Sequence, residues 1–262
     1  MMELLSYQFG EGVRAFSTLR SSGGQGEGAY ASFNITHYCG DHPDNVALSR
    51  AQLCRELNIA DNRLFLPRQT HGSHVLVIDE AFVEQSSEAQ SEQMEGIDAL
   101  VTRMEGCCIG VSTADCLPVL LYDPVARVAA AAHAGWRGVV GGIAPRTIAT
   151  MQALGAQADC IIATIGPSIS VQSFEVGEEV AEMFEREGFP ASIIDRSRPK
   201  PHIDLWAAMA HQCEECGLLL HNIRIAGVDT YTSDDSFFSA RRLGINSGRI
   251  FTGILLQNVP SP

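Results

Sequence analysis

Three short segments each combine a metal-binding or nucleophilic side chain with residues that turn the backbone. They are RQTHG, which contains His71, TADCLP, which contains Cys116, and AAHAGWRG, which contains His133. Glycine and proline permit sharp turns and close approach of a ligand, so side chains beside them at strand ends can face a cleft. Two imidazoles and one thiolate suit Zn²⁺, and three protein ligands leave the fourth tetrahedral position open. These residue types indicate a catalytic zinc site.

The same residues allow other interpretations, because widely separated ligands have no spacing signature of their own. In a metal-free thiol hydrolase that cleaves an amide, Cys116 is the nucleophile, His133 its base and His71 an orienting group. In a non-catalytic binding protein, the three side chains are simply buried or hold a structural metal. Structural zinc sites normally use four protein ligands and only three are nominated here, which argues against that interpretation.

Other polar residues are weaker candidates for the site. Asp115 can orient a histidine, but alternation along a strand would point it away from Cys116, so a structural role is favoured. Asp98 can act as a base behind the site, again with a structural role favoured. Cys213 and Cys216 form a CxxC pair without a second pair to complete a zinc set, so helix packing explains them better.

The apolar pattern predicts the elements that must position these side chains. Strands are expected at residues 12–18, 63–66, 74–79, 99–101, 107–111, 117–122, 127–132, 160–165, 222–226 and 250–256. Helices are expected after Pro43 and at residues 143–154, 176–187 and 205–216, the last capped by Asp204. Residues 21–28 are predicted to form a mobile loop and residues 80–96 a surface loop. His133 then lies where a strand runs into a helix.

Composition limits the classes of partner. Of the 262 residues, 45% are apolar, which suffices for a large core in one domain over residues 1–262. The 31 acidic and 18 basic residues give a formal charge of −13, which argues against nucleic acid and anionic membranes as partners. No apolar run is long enough to span a membrane, and the first residues lack a signal-peptide pattern. We expect a cytoplasmic protein with eight mostly reduced cysteines.

Five strings along the chain resemble the signature of the YfiH-like family. They are RQTHGSHV, STADCLPVLLYDP, AAAHAGWRG, IGPSISVQSFEVG and FFSARR. The family has been described as laccase-like polyphenol oxidases, as peptidoglycan-editing factors and as zinc-dependent purine nucleoside phosphorylases. The resemblance implies that His71, Cys116 and His133 are both the catalytic residues and the metal ligands. It also implies an α+β fold with mixed sheets in a four-layer α/β/β/α arrangement, similar to the catalytic domain of cytotoxic necrotizing factor.

The activity implied by the resemblance is phosphorolysis of adenosine, inosine, guanosine or methylthioadenosine to the base and ribose 1-phosphate. Adenosine deamination is implied as well, because zinc can activate water for attack on C6 of adenine. Purine nucleosides and phosphate are then the small-molecule partners, and a homodimer stays open. Copper is the alternative metal, but true laccase chemistry is disfavoured because the chain has no His-x-His pair.

Phosphate needs a local basic site on this acidic chain. Arg137 stands at the start of the helix expected after His133, where unpaired N–H groups favour an anion. Arg241 and Arg242 of the FFSARR string are further candidates, and Asn34 belongs to an N-terminal string that resembles the family pattern. One departure is Asp229, which stands where many relatives have a cysteine, so an accessory role for that cysteine is excluded.

Overall fold

Thirteen β-strands and eight α-helices form within residues 2–257, the part of the chain that the computed structural model describes. The strands are β1 (Leu4–Tyr7), β2 (Val13–Thr18), β3 (Leu64–Phe65), β4 (Val75–Ile78), β5 (Ala99–Thr102), β6 (Cys108–Thr113), β7 (Leu117–Asp123), β8 (Val128–Ala134), β9 (Ile162–Ile165), β10 (Ile194–Asp195), β11 (His202–Ile203), β12 (Ile223–Ile225) and β13 (Ile250–Leu256). The helices are α1 (Pro43–Leu57), α2 (Glu80–Val83), α3 (Ser87–Gln93), α4 (Trp136–Val140), α5 (Ile143–Ala153), α6 (Glu178–Arg186), α7 (Leu205–Glu215) and α8 (Ala240–Leu243).

Two mixed sheets carry the architecture. The first has the strand order β1-β2-β13-β6-β3, and the second has the order β12-β9-β7-β8-β5-β4. Each contains antiparallel pairs and at least one parallel pair, such as β3 with β6 and β4 with β5. The protein is therefore an α+β protein with two mixed sheets plus helices.

The two sheets pack against each other through apolar side chains. Ile109 and Ile254 of the first sheet share one buried cluster with Leu100 and Leu120 of the second. On the other face of the first sheet, a separate cluster joins Leu53 of α1 and its neighbours to β2 and β13. On the other face of the second sheet, α5, α6 and α7 complete a third cluster. Burying each large aliphatic side chain contributes about 1.5–3 kcal/mol, so these three clusters supply the main stabilisation.

Most strands and the four long helices lie within a few residues of the predicted positions. The run of alanines in β8 has strong intrinsic helix propensity, yet it forms a central strand whose residues are all buried. Small side chains there let α5 pack closely on the sheet, as the shared cluster shows. Asp204 caps α7, where its Oδ1 accepts the N–H of Ala207 at 2.9 Å, as predicted.

The prediction of a surface loop over residues 80–96 is wrong. Helices α2 and α3 form there, because Asp79 and Ser86 accept hydrogen bonds from the first turns and cap their N-termini. The buried ring of Phe82 anchors α2, and Gln90 of α3 donates to two carbonyls of α2. The prediction rested on the polar composition of this segment and did not take these helix caps into account.

The region after His133 contains a short helix in addition to the helix predicted at residues 143–154. Helix α4 begins directly after Gly135 and ends at Val140, and α5 begins only at Ile143. Gly142 between them has φ of 74°, a left-handed conformation that glycine adopts without strain and that interrupts the helix. None of the helices within residues 2–257 combines the length and the apolar character that a membrane crossing requires.

Candidate active site

The three predicted metal ligands come from two connections and one strand and meet at one place. Cys116 lies between β6 of the first sheet and β7 of the second, where the chain passes from one sheet to the other. His133 is the sixth residue of β8, paired with Pro118 of β7, so it stands next to the Cys116 turn. His71 lies in the loop between β3 and β4 and has φ of 63°, which is uncommon outside glycine.

The side chains converge closely enough to share one ion. One ligand atom from each of His71, Cys116 and His133 lies within 4.8 Å of the other two. The imidazole rings of the two histidines meet edge to face, with centroids 4.8 Å apart. Gly135 leaves room for this cluster, since a Cβ there would lie 2.9 Å from Cδ2 of His71 and 3.1 Å from Sγ of Cys116.

Asp98 holds two of the three candidate ligands in place. Its Oδ1 lies 2.8 Å from Nδ1 of His133, so the Nε2 atom of that ring is the one free to act as a ligand. The same carboxylate accepts the backbone N–H groups of Thr70, His71 and Gly72 at 3.3, 3.0 and 2.8 Å. A purely structural role was favoured for Asp98; these contacts make it a positioning residue of the site.

Mutual charge stabilisation shifts the pKa values of the cluster. Burial acts to raise the pKa of the Cys116 thiol, but His133 and His71 outweigh it and lower that pKa to about 6. Burial acts to lower the pKa of His133, whereas Cys116 and Asp98 raise it to about 9. Without metal, the site thus favours a thiolate beside an imidazolium, and a bound cation takes the place of the proton.

A cavity of about 490 Å³ opens onto the three side chains. This volume falls in the range of small-molecule sites. Its other lining side chains include Tyr38, Gln69, Ser112, Asn246 and Arg249. Gln69 is fixed because its Nε2 donates to the carbonyl of Ser112 and its Oε1 accepts the N–H of the same residue, both at 2.8 Å.

Sequence reasoning missed Tyr38, Asn246 and Arg249. Burial raises the pKa of Tyr38 to about 12, and its hydroxyl donates to the carbonyl of Pro67 at 3.1 Å. Arg249 precedes β13, and no local motif marks it. Only Gln69 carried a signal, because it stands two residues before His71 in the RQTHG string.

The arginines nominated from sequence do not line this cavity. Arg137 is exposed and its guanidinium stacks on the Trp136 ring at 4.3 Å. Arg241 donates to the carbonyl of Glu175, and Arg242 forms an ion pair with Asp234 at 2.8 Å.

Asn34 is buried behind the cavity wall rather than in it. Its Nδ2 donates to Asp41 at 2.8 Å, and its Oδ1 accepts the backbone N–H of Thr36 at 3.1 Å and of Arg249 at 3.3 Å. Asn34 therefore supports the backbone beside the cavity.

Three further residues flagged in the sequence have structural contacts. Asp115 lies outside the strands with φ of 87°, so strand alternation does not apply to it. Its carboxylate accepts Oγ1–H of Thr230 at 2.8 Å and the N–H of Arg241 at 2.6 Å. Cys213 is buried in α7 and packs in the core with Cys216 at the end of that helix.

Asp229 anchors a loop. Its Oδ2 accepts hydroxyl groups of Ser170 at 2.8 Å and Ser173 at 2.6 Å. Its Oδ1 also accepts the N–H of Tyr231 at 3.0 Å. The carboxylate thus joins the segment after β9 to the segment that follows β12.

Comparisons with known proteins agree with this architecture. A purine nucleoside phosphorylase of Bacteroides thetaiotaomicron is 44% identical over 249 residues, which cover 94% of this chain and 92% of that protein. Adenosine deaminase RL5, from an unknown prokaryotic organism, is 45% identical over 260 residues, 97% of this chain and 99% of that protein. The crystal structure of the Bacillus licheniformis hypothetical protein YfiH superposes with a TM-score of 0.90 at 24% identity, covering 98% and 97% of the two chains.

The family comparison covers nearly the whole described region. Residues 14–257 match the family described as multi-copper polyphenol oxidoreductase laccase. This span includes β3 to β13, all of β2 except its first residue, and every residue of the candidate site. The chain therefore belongs to the multi-copper polyphenol oxidoreductase laccase family, whose fold it shares with YfiH.

Proposed function

We propose that this protein is a zinc-dependent purine nucleoside phosphorylase that also deaminates adenosine. Its substrates are adenosine, inosine, guanosine and methylthioadenosine, with phosphate as the second substrate of phosphorolysis. The observation that carries the proposal is the convergence of His71, Cys116 and His133 at a cavity of small-molecule size. Near-full-length similarity to a purine nucleoside phosphorylase and to an adenosine deaminase supports the choice of reactions.

The residues present fit a zinc ion. Two histidine nitrogens and one cysteine sulfur are the donors that zinc commonly takes in catalytic sites, and within residues 2–257 the cluster contains three ligands. Asp98 fixes the ring of His133, as carboxylates behind zinc-binding histidines do. A zinc ion held there would supply Lewis acidity at neutral pH. Copper accepts the same soft donors and is the alternative metal.

Phosphorolysis requires a defined exchange of bonds. A phosphate oxygen bonds to C1′ of the ribose while the C1′–N9 bond breaks, and the base leaves with the bonding electron pair and takes up a proton. Deamination replaces the amino group at C6 of adenosine by oxygen from water and releases ammonia. The fixed amide of Gln69 and the half-buried hydroxyl oxygen of Tyr38, which can accept a hydrogen bond, can orient the nucleoside. Asp98 keeps His71 and His133 in position throughout.

The test is release of hypoxanthine from inosine and of adenine from adenosine, with and without phosphate. The purified protein is analysed for metal, treated with a chelator, and assayed again after zinc or copper is added. Phosphate-dependent release that disappears on chelation and returns with zinc supports the proposal. If activity returns with copper and not with zinc, copper is the metal. If neither the zinc-loaded nor the copper-loaded protein releases the base, the proposed function is wrong.

A metal-free amide hydrolase that edits peptidoglycan precursors is the competing function. The contacts of His133 with both Asp98 and Cys116 favour it, because this is the arrangement that activates a thiol nucleophile. Such an enzyme keeps its turnover after chelation, whereas a zinc phosphorylase loses it.

Several broader features stay part of the proposal. The helix, sheet, sheet, helix order of the packed clusters supports the four-layer arrangement and a likeness to cytotoxic necrotizing factor. A single domain, a cytoplasmic location and a homodimer remain predictions.

A further inference from the structure

We propose that Arg249 binds the phosphate co-substrate in the cavity above the three candidate metal ligands. The inference rests on the proposed phosphorolysis and assigns its phosphate site. Among the described residues that line this cavity, Arg249 is the one lysine or arginine, and none is an aspartate or glutamate. On a chain with a formal charge of −13, a cavity wall that contains an arginine and no carboxylate is a local site for an anion.

The guanidinium of Arg249 retains unused donors. Its Nη1 donates to the carbonyls of Ser247 at 2.6 Å and Gly248 at 3.0 Å, and its Nη2 donates to the carbonyl of Ile245 at 2.7 Å. An arginine has five N–H groups, so the Nε–H and one Nη2 N–H have no acceptor within residues 2–257. Within residues 2–257, Arg249 forms no ion pair with a carboxylate. Two free donors on one planar group suit a bidentate contact with phosphate.

The surrounding structure fixes this arginine near the reacting centre. Ile250 pairs with Thr113 across β13 and β6, which places Arg249 beside the turn that carries Cys116. Asn34 accepts the backbone N–H of Arg249 at 3.3 Å and is itself buried. The carbonyl contacts orient the guanidinium before any ligand binds, which lowers the entropic cost of binding.

A phosphate held by Arg249 would be the nucleophile that bonds to C1′ while the base departs. Arg249 itself neither gains nor loses a proton in this step, because its guanidinium stays charged. Deamination of adenosine consumes water and no phosphate. Loss of Arg249 should therefore impair phosphorolysis more than deamination in the same zinc-loaded protein.

The experiment compares Arg249→Gln and Arg249→Lys with Arg146→Gln, which replaces an exposed arginine on α5 as a matched control. We expect Arg249→Gln to raise KM for phosphate about 10- to 100-fold, since a charged hydrogen bond contributes about 1.5–3 kcal/mol. Arg249→Lys should show a smaller increase in KM for phosphate, because lysine keeps the positive charge but lacks the paired N–H donors of the guanidinium. The ratio of phosphorolysis to adenosine deamination should fall in both variants and stay at the wild-type value in Arg146→Gln.

Direct binding of inorganic phosphate to the zinc-loaded proteins, measured by calorimetry, gives a readout independent of turnover. Equal phosphate affinity in wild type and Arg249→Gln overturns the inference, as does an equal loss of both reactions at unchanged KM for phosphate. If Arg249→Gln fails to fold, Arg249→Lys is used instead: a raised KM for phosphate supports the inference, and an unchanged KM overturns it. If wild type shows no phosphate-dependent turnover, the proposed function fails first, and calorimetry still reports whether Arg249 binds phosphate.

Discussion

The Asp98 carboxylate lies 2.8 Å from Nδ1 of His133, and the backbone N–H of His133 donates to the carbonyl of Asp98 at 2.7 Å. This double contact arises because β5 and β8 pair with Ala99 opposite Ala132. The same carboxylate accepts N–H groups from the His71 loop. One acidic side chain thus sets the positions of two candidate ligands that are 62 residues apart in the chain.

Replacement of Asp98 by asparagine should weaken zinc binding. The asparagine side chain has the same size as that of aspartate but lacks the negative charge that orients the His133 ring. Such changes typically lower metal affinity 10- to 100-fold. Competition with a chromogenic chelator measures the effect. Asp123→Asn is the matched control, because Asp123 is also buried and accepts three backbone N–H groups at the far end of β7. It should lower stability and leave zinc affinity unchanged; a similar loss of affinity in both variants contradicts the positioning role.

Cys116→Ala should abolish turnover and retain the fold. The thiol is small and partly exposed, so its removal leaves little cavity. Phosphorolysis, deamination and bound zinc are measured beside a thermal melt monitored by circular dichroism. Cys213→Ala, which removes a fully buried thiol from α7, is the control and should lower Tm while keeping activity. Substantial turnover in Cys116→Ala would contradict both the zinc and the thiol mechanisms.

Gly135→Ala should disturb the ligands without straining the backbone. Its φ of −66° is open to any residue, but the added Cβ would press on His71 at 2.9 Å and on Cys116 at 3.1 Å. We expect lower zinc affinity with a small change in Tm. Gly155→Ala is the control and should lower Tm while leaving zinc affinity unchanged. Its φ of 101° is strained for alanine, and no atom lies within 4 Å of the added Cβ. If zinc affinity in Gly135→Ala equals that of wild type, the glycine has no role in accommodating the ligands.

The metal-free protein should alkylate selectively at Cys116 under mildly acidic conditions. Burial opposes ionisation, but His133 and His71 lower the pKa of Cys116 to about 6, so the thiolate dominates above pH 6 and is lost below it. Burial raises the pKa values of Cys54, Cys108 and Cys213, which keeps those thiols protonated. Iodoacetamide labelling at pH 6.5, mapped by mass spectrometry, tests this.

The control for the labelling experiment is His133→Gln, which removes the cationic partner of the thiolate. Its alkylation midpoint should move up toward the value of an ordinary thiol, about 8.5. Zinc added to the wild-type protein should protect Cys116. Labelling with the same midpoint in both proteins would show that His133 does not stabilise the thiolate.

The sequence by itself determined the identities of His71, Cys116 and His133, the family and most of the strands. The family and the ligand set follow from the resemblance of five strings in the chain, and the strands follow from apolar periodicity within each element. It did not reveal the helices within residues 80–96, because their polar composition predicted a loop. The helices form there because Asp79 and Ser86 cap them and the buried ring of Phe82 anchors α2.

Only the tertiary structure decided which further residues join the site. Asp98 reaches His133 because β5 pairs with β8, and Arg249 reaches the cavity because β13 pairs with β6. Both pairings connect segments far apart in the chain, and their register depends on how two whole sheets bury their apolar faces. Arg137 stands two residues past Gly135 yet stacks on Trp136 outside the cavity wall. Nearness in sequence therefore did not bring Arg137 to the cavity, because side-chain direction is set by packing.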